Sequence, residues 1–278
     1  MTSERQIERI PESAEDFRTR VYGCCLDCGR DFPWRHTNDP YRILVSEVML
    51  QQTQTARVVS KYLEFIERFP DICALARAGV AEVLTAWQGL GYNRRALALH
   101  RTAGIIYGDF GGLVPREKET LLALPGIGPY TAAAIRAFAF GQPDVLLETN
   151  IRTVFIHEFF PENETVPDRD ILPIVEATLD RDTPRRWYEA LMDYGAMLKD
   201  SGNPSRRSSH YRRQSRFKGS RREARGAILR TLLSEGPRTS AALKSRVPEW
   251  DSRFDEALKT LLQDGLVVET DSVLAVTP

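Results

Sequence analysis

The chain has 278 residues, 42% of them hydrophobic and 27% charged, and its formal net charge at pH 7 is zero. These values are ordinary for a soluble globular protein of one large or two modest domains. Zero net charge weighs against a uniformly basic nucleic-acid binder, although a local basic stripe fits on a neutral protein. No apolar run approaches the roughly 20 residues that span a bilayer. The run Met1–Gln6 is polar, without the apolar stretch of a signal peptide, so a cytoplasmic location without membrane contact is expected.

Residues 13–200 carry apolar positions at helical spacing. Ile43, Leu44, Val48 and Met49 form one such set, and Val58, Tyr62, Phe65 and Ile66 another. Pro40 suits the first turn of the helix that carries Glu47. Further helical patterns cover 80–87, 92–108, 128–139, 149–159, 169–181 and 184–199. Strand-like alternation is nearly absent before residue 266. Cys24, Cys25, Cys28 and Cys73 read as free thiols: a structural zinc site needs four ligands, there is no second Cys pair, and His36 is the only histidine near Cys25 and Cys28.

Residues 201–222 form an Arg-rich, aliphatic-poor arm or linker. Helical periodicity returns over about 223–234. Thr239 caps a second short helix through Val247, and Ser252 with Asp255 forms a capping signal for a third, up to Gln263. Leu266–Glu269 and Val273–Val276 then pair around a turn. Three helices and a hairpin in residues 223–278 are winged-helix-like.

The strongest local signal is Leu121-Leu122-Ala123-Leu124-Pro125-Gly126-Ile127-Gly128-Pro129-Tyr130-Thr131-Ala132-Ala133-Ala134-Ile135. A short apolar helix, a glycine turn and a small-residue helix follow one another. Glycine permits close backbone approach, and the second helix directs N–H groups and the positive end of its dipole at whatever faces it, a site for a phosphate oxygen. A plain helix–turn–helix with a glycine cap is the other reading of this segment alone.

This hairpin resembles that of the helix-hairpin-helix DNA glycosylases, the endonuclease III superfamily. The runs Pro33-Trp34-Arg35, Pro40-Tyr41, Ser46-Glu47-Val48-Met49-Leu50-Gln51-Gln52-Thr53-Gln54-Thr55, Gly89-Leu90-Gly91-Tyr92, Arg94-Arg95-Ala96 and Met192-Asp193-Tyr194-Gly195-Ala196-Met197 resemble its adenine-glycosylase (MutY) branch. The likeness covers about residues 15–200. It implies a mainly α fold with a two-lobed helical glycosylase core over 1–200; the basic arm at 201–222 and the small winged-helix-like domain at 223–278, read from the residue pattern, complete the expected organisation.

It also implies roles. Glu47 protonates the departing purine and assists the attacking water. Acid work by a glutamate at neutral pH calls for burial, and the apolar neighbours Val45, Val48, Met49 and Leu50 suit that. On composition alone Glu47 reads equally as a surface or ion-paired residue. Gln51 and Tyr92 match positions that wedge into the base stack while a nucleotide is extruded; Tyr92 also reads as a core residue. Gln52 and the hairpin residues Gly126, Ile127 and Gly128 join the DNA-binding set. Tyr130 stands where strand-cleaving members carry a catalytic lysine, so lyase chemistry is not expected.

Three departures narrow the likeness. Glu148 stands in place of an aspartate that would stabilise the sugar cation, with Asn150 matching the family's asparagine; an N-cap is the other reading of Glu148. No cysteine lies between Cys73 and Pro278, so the [4Fe–4S] cluster of the branch is expected to be absent and no cofactor or metal is implied. In its place the arm carries Arg206, Arg207, Arg212 and Arg213, which suit phosphate contacts. The lesion-reading module of the branch is expected to be missing, with the winged-helix-like segment standing where it would begin. The expectation is a monomeric, nucleoid-associated, monofunctional glycosylase that excises a mispaired or damaged base, adenine or another purine favoured, from duplex DNA. A mismatch thymine or uracil glycosylase and a non-catalytic DNA-binding protein are the alternatives.

Overall fold

The computed structural model describes residues 13–213, 216–247 and 251–277. The side chains of Cys28 and Ser252 lie outside the described residues, and with them the Cys25-x-x-Cys28 pairing and the Ser252 cap. The chain is mainly helical and divides into two compact units. One comprises residues up to Ile43, Arg116–Leu122 and Ile127–Arg213; the other comprises Leu44–Pro115, Ala123–Gly126 and Gln214 onward. Among the described residues no helix is long and apolar enough to cross a membrane.

The first unit holds α1 (Ala14–Cys28), the start of α2 (Pro40–Leu50), most of α7 (Lys118–Ala123), and α8 (Pro129–Phe140), α9 (Thr149–Phe159), α10 (Asp168–Thr178) and α11 (Pro184–Ser201). Phe17 of α1 meets Phe155, Phe159 and Trp187 edge-on, with ring centroids 5.6, 5.0 and 5.8 Å away. Such edge-to-face pairs add to the burial of the rings themselves. A buried carboxyl lies among them: Asp193, 1% exposed, accepts from Arg30 Nε at 2.7 Å and from both terminal nitrogens of Arg35 at 2.7 and 2.9 Å. A buried carboxylate is tolerated when its oxygens are saturated in this way. This network ties the Pro33-Trp34-Arg35 run to the Met192–Met197 motif.

The arm is not a free linker throughout. Pro204–Arg207 forms a 3₁₀ turn, Ser205 is buried, and Val166 bridges Ser208 in parallel. Arg207 Nη1 donates to the carbonyls of Phe160, Pro161 (2.9 Å) and Asn163 (3.1 Å), and Nη2 to that of Ile156 (3.2 Å). The last carbonyls of a helix lack helical partners, and this guanidinium donates to one of them, Ile156 in the last turn of α9, and to three in the segment that follows.

The second unit holds the rest of α2, then α3 (Thr55–Arg68), α4 (Ile72–Arg77), α5 (Val80–Ala86) and α6 (Arg94–Asp109). Val58, Tyr62, Phe65 and Ile66 of α3 are buried, as their spacing predicts. The helix expected over 92–108 starts two residues later, because Gly89, Gly91 and Tyr92 all take positive φ, which no helix continues. The C-terminal module belongs to the same unit: α12 (Arg221–Glu235), β1 (Arg238–Thr239), α13 (Ser240–Arg246), α14 (Asp251–Gln263), β2 (Val267–Thr270) and β3 (Val273–Val276). The antiparallel sheet has the order β1-β3-β2. Strand β1, too short to show alternation, is an addition to the expected hairpin. Thr239 caps α13 as expected, accepting from Ala242 N. Ser220 caps α12, while Glu223 accepts from Gly219 N at 2.6 Å.

Candidate active site

Glu47 lies on α2 in the second unit, 6% exposed, among the buried Leu44, Val45, Val48 and Met49. Burial follows from the helix period: positions 44, 45, 48 and 49 make one apolar stripe, and 47 borders it. The C-terminal end of α2 is held by Arg95 of α6. Its Nη1 donates to the carbonyls of Val48, Met49 and Gln51 at 2.9, 2.8 and 2.5 Å, and its Nη2 to Thr53 Oγ1 and Gly91 O, both at 3.0 Å. Burial pushes the Arg95 pKa down to about 10, so the side chain is still a cation at neutral pH. One guanidinium therefore joins the Glu47 helix to the Gly-Leu-Gly-Tyr loop. Arg95 was visible only as part of a motif, and nothing in its type or spacing marks it as the clamp.

The same unit brings Gln51 to the glycine turn. Gln51 Nε2 donates to Gly126 O at 3.3 Å. Gly126 has φ +77°, and a Cβ there would lie 2.8 Å from that of Ala98, so close approach and conformation both require glycine. Buried Thr102 donates to Pro125 O at 2.9 Å and fixes the turn. Gln52, at φ +55°, is exposed beside it. Gly128 is the N-cap of α8, exposed, and with no side chain it offers the first-turn N–H groups no cap; Pro129 follows at N1. The Ile127 side chain is 6% exposed, so only its backbone is placed to meet a ligand. Tyr130 occupies the first turn of α8, half-buried.

Tyr92 is 37% exposed at φ +49°, a conformation that L side chains adopt rarely and that clusters at functional sites. Arg222 donates to its hydroxyl at 3.1 Å and stands over its ring at 5.8 Å. Phe217, 57% exposed, lies against the same guanidinium.

In the first unit Glu148 is the N-cap of α9. Its Oε1 accepts from Asn150 N at 2.7 Å and Ile151 N at 2.9 Å. The side chain folds back onto the helix it caps. Asn150 Oδ1 accepts from Lys199 Nζ at 2.6 Å. Of the four arginines expected to meet DNA, Arg206, Arg212 and Arg213 are exposed, whereas Arg207 spends its guanidinium on carbonyls of its own unit.

Residues 45–187 match the model of the HhH-GPD superfamily base excision DNA repair protein. The chain belongs to this superfamily. Over 260 residues, 87% of this chain and 89% of the relative, it is 38% identical to the adenine DNA glycosylase of Mycolicibacterium smegmatis. It is 36% identical over 263 residues to the adenine DNA glycosylase of Mycobacterium tuberculosis, covering 87% of this chain and 86% of the relative. Among solved structures it resembles a thermostable thymine-DNA glycosylase, with a TM-score of 0.59 and 27% identity over 66% of this chain and 86% of that one. The superfamily assignment gives the glycine turn its context, since the matched region contains Glu47, the hairpin and Glu148.

An iron–sulfur cluster does not fit the residues present. Thiolates are the donors such a cluster needs, and Gly195-Ala196-Met197-Leu198 is followed by Lys199, with no cysteine anywhere after Cys73. Among the described residues no group of three or more His, Cys, Asp or Glu is placed to hold a metal ion.

Proposed function

We propose that this base excision repair protein is a monofunctional DNA glycosylase that removes adenine from a mispair or lesion in duplex DNA and leaves an abasic site. One observation carries the chemistry: Glu47, in the Ser46–Thr55 run, is 6% exposed on a helix whose next turn, at Gln51, bonds the glycine turn of the hairpin. Adenine as the base rests on the names of the relatives, 38% and 36% identical over most of the chain.

The Glu47 carboxyl gives its proton to a ring nitrogen of the flipped adenine. The bond from the sugar C1′ to the base breaks, and its electron pair leaves with the neutral base. The sugar becomes an oxocarbenium ion, which carboxylate charge stabilises; Glu148 is the second such group. Water then attacks C1′ and returns a proton to Glu47, so the balance closes on adenine and an abasic sugar. Tyr130 has no amine to form a Schiff base, so the strand is left intact. No step needs a cluster. The glycine turn and the N-terminus of α8 hold a phosphate, with Gln51 and Tyr92 filling the stack.

The test is a panel of duplexes carrying adenine opposite 8-oxoguanine, guanine and cytosine, and thymine or uracil opposite guanine, each treated with alkali after incubation. Alkali-labile sites at adenine, lost in Glu47→Gln with duplex binding retained, are the expected result. Cleavage at thymine or uracil alone would move the assignment to the mismatch pyrimidine class. No labile site on any duplex would leave a DNA-binding protein without this chemistry, and full activity in Glu47→Gln would remove Glu47 from the acid role.

A further inference from the structure

Two departures from the adenine-glycosylase pattern, Glu148 for aspartate and Lys199 at the start of the missing cysteine series, meet at one place. Helix α11 approaches the N-terminus of α9 so closely that a Cβ on Gly195 would stand 2.1 Å from the Asn150 carbonyl oxygen. Lys199 is four residues further on, on the same face of α11, and its Nζ donates to Asn150 Oδ1 at 2.6 Å. Burial lowers its pKa below the ordinary lysine range, opposed by the charge of Glu148. The lysine is thus tucked into the first unit against the Glu148–Asn150 pair.

The bond has a chemical consequence. An asparagine amide can present either its oxygen or its NH₂ in a given direction, and the network around it decides which. An ammonium is a donor only, so it fixes Oδ1 towards Lys199 and turns Nδ2, the donor end, the other way. We propose that Lys199 is a positioning residue for base excision: it fixes the Asn150 amide so that a donor faces the reacting sugar or its water, beside the carboxylate of Glu148. This rests on the glycosylase reading above. A cysteine at residue 199 could not do this, since a thiol is a weak and ambivalent donor.

The experiment uses the full chain and an adenine-containing duplex that the wild type cleaves; that wild-type activity tests the glycosylase reading separately. Lys199→Met keeps the length and removes the donor, Lys199→Arg keeps a donor-only cation, and Lys199→Glu offers acceptors. Single-turnover excision is expected to fall about tenfold or more in Lys199→Met, with duplex Kd changed less than about twofold. Lys199→Arg recovers most of the rate, and Lys199→Glu is slower than Lys199→Met. Combining Lys199→Met with Asn150→Ala adds little to Asn150→Ala alone. Equal rates in Lys199→Met and wild type would overturn the proposal. So would a loss in Lys199→Met that Lys199→Arg does not restore, or one that matches a fall in thermal stability and adds fully to Asn150→Ala.

Discussion

Arg95 donates to the Gln51 carbonyl at 2.5 Å and, through the same nitrogen, to two preceding carbonyls of the Glu47 helix, those of Val48 and Met49. The last carbonyls of a helix have no helical donors, and here they are gathered on one cation. Arg95→Ala orphans them and frees the turn that carries Gln51. The expected loss is about 2–3 kcal/mol in denaturant unfolding, with a fall in single-turnover excision beyond what Gln51→Ala causes. Arg95→Lys recovers part of the stability only, because a point ammonium cannot span this fork of acceptors.

Tyr92 and Arg222 give a second prediction. The tyrosine hydroxyl and ring both meet the guanidinium, so the Tyr92 side chain is tied to helix α12. Tyr92→Ala should weaken binding to a mispaired duplex by about 1–3 kcal/mol if the ring stacks on a base. Tyr92→Phe keeps the ring and should lose much less. Fluorescence anisotropy at fixed salt measures both, and equal losses in the two variants would remove the ring from the stack.

The basic arm divides into two kinds of arginine. Neutralising the exposed Arg206, Arg212 and Arg213 should flatten the dependence of log affinity on log salt by roughly 0.9 for each phosphate that an arginine no longer neutralises. Arg207→Ala should leave that slope unchanged and instead destabilise the fold by about 1.5–3 kcal/mol, since its donors serve the carbonyls of Ile156, Phe160, Pro161 and Asn163. Salt titrations of the four single variants, paired with melting curves, separate the two groups.

Acid stability follows from Asp193, Asp168 and Asp180. Burial works to raise each, yet each is held below the usual carboxylate range: Asp193 by Arg35 and Arg30, Asp168 by Arg152, Asp180 by Tyr22 and Thr183. A carboxylate whose folded pKa lies below its unfolded value, about 3.9, contributes full stability above that value and loses it as pH falls through the folded pKa. Melting temperature should therefore be flat with respect to these groups from neutrality to about pH 5 and fall below about pH 4. Asp193→Ala, which strands two guanidiniums around a buried site, should cost about 3–5 kcal/mol at neutral pH. A melting temperature unchanged by that substitution would deny Asp193 its structural role.

Much of the fold was legible because it rests on period and punctuation. The stripe at Val58, Tyr62, Phe65 and Ile66, the proline at the head of α2 and the Thr239 cap each act locally. Glu47 and the hairpin were legible as motif. What escaped were roles that long-range partners decide. Arg207 and Arg206 are neighbours of one type in one basic run, and only the carbonyls at and after the end of α9 distinguish them. Asp193 and Arg95 sit inside recognised motifs, but their work is to bond groups dozens of residues away. Of the two readings of Glu148, the structure shows the cap: its carboxylate accepts from the first N–H groups of α9, and the second-carboxylate role remains the proposal made above.

The discontinuity of the two units bears on how the protein is made. The unit that holds Glu47 opens at Leu44 and is completed only by residues after Gln214, whereas the other unit draws nothing beyond Arg213. At about 5–20 residues per second of synthesis, the Glu47 unit waits several seconds after the other has all its parts. During that interval the apolar stripe of α2 and α3 is present without the C-terminal module that shares its unit. A nascent chain stalled near residue 213 should accordingly be cut faster within the 44–115 segment by limited proteolysis than the released full chain is.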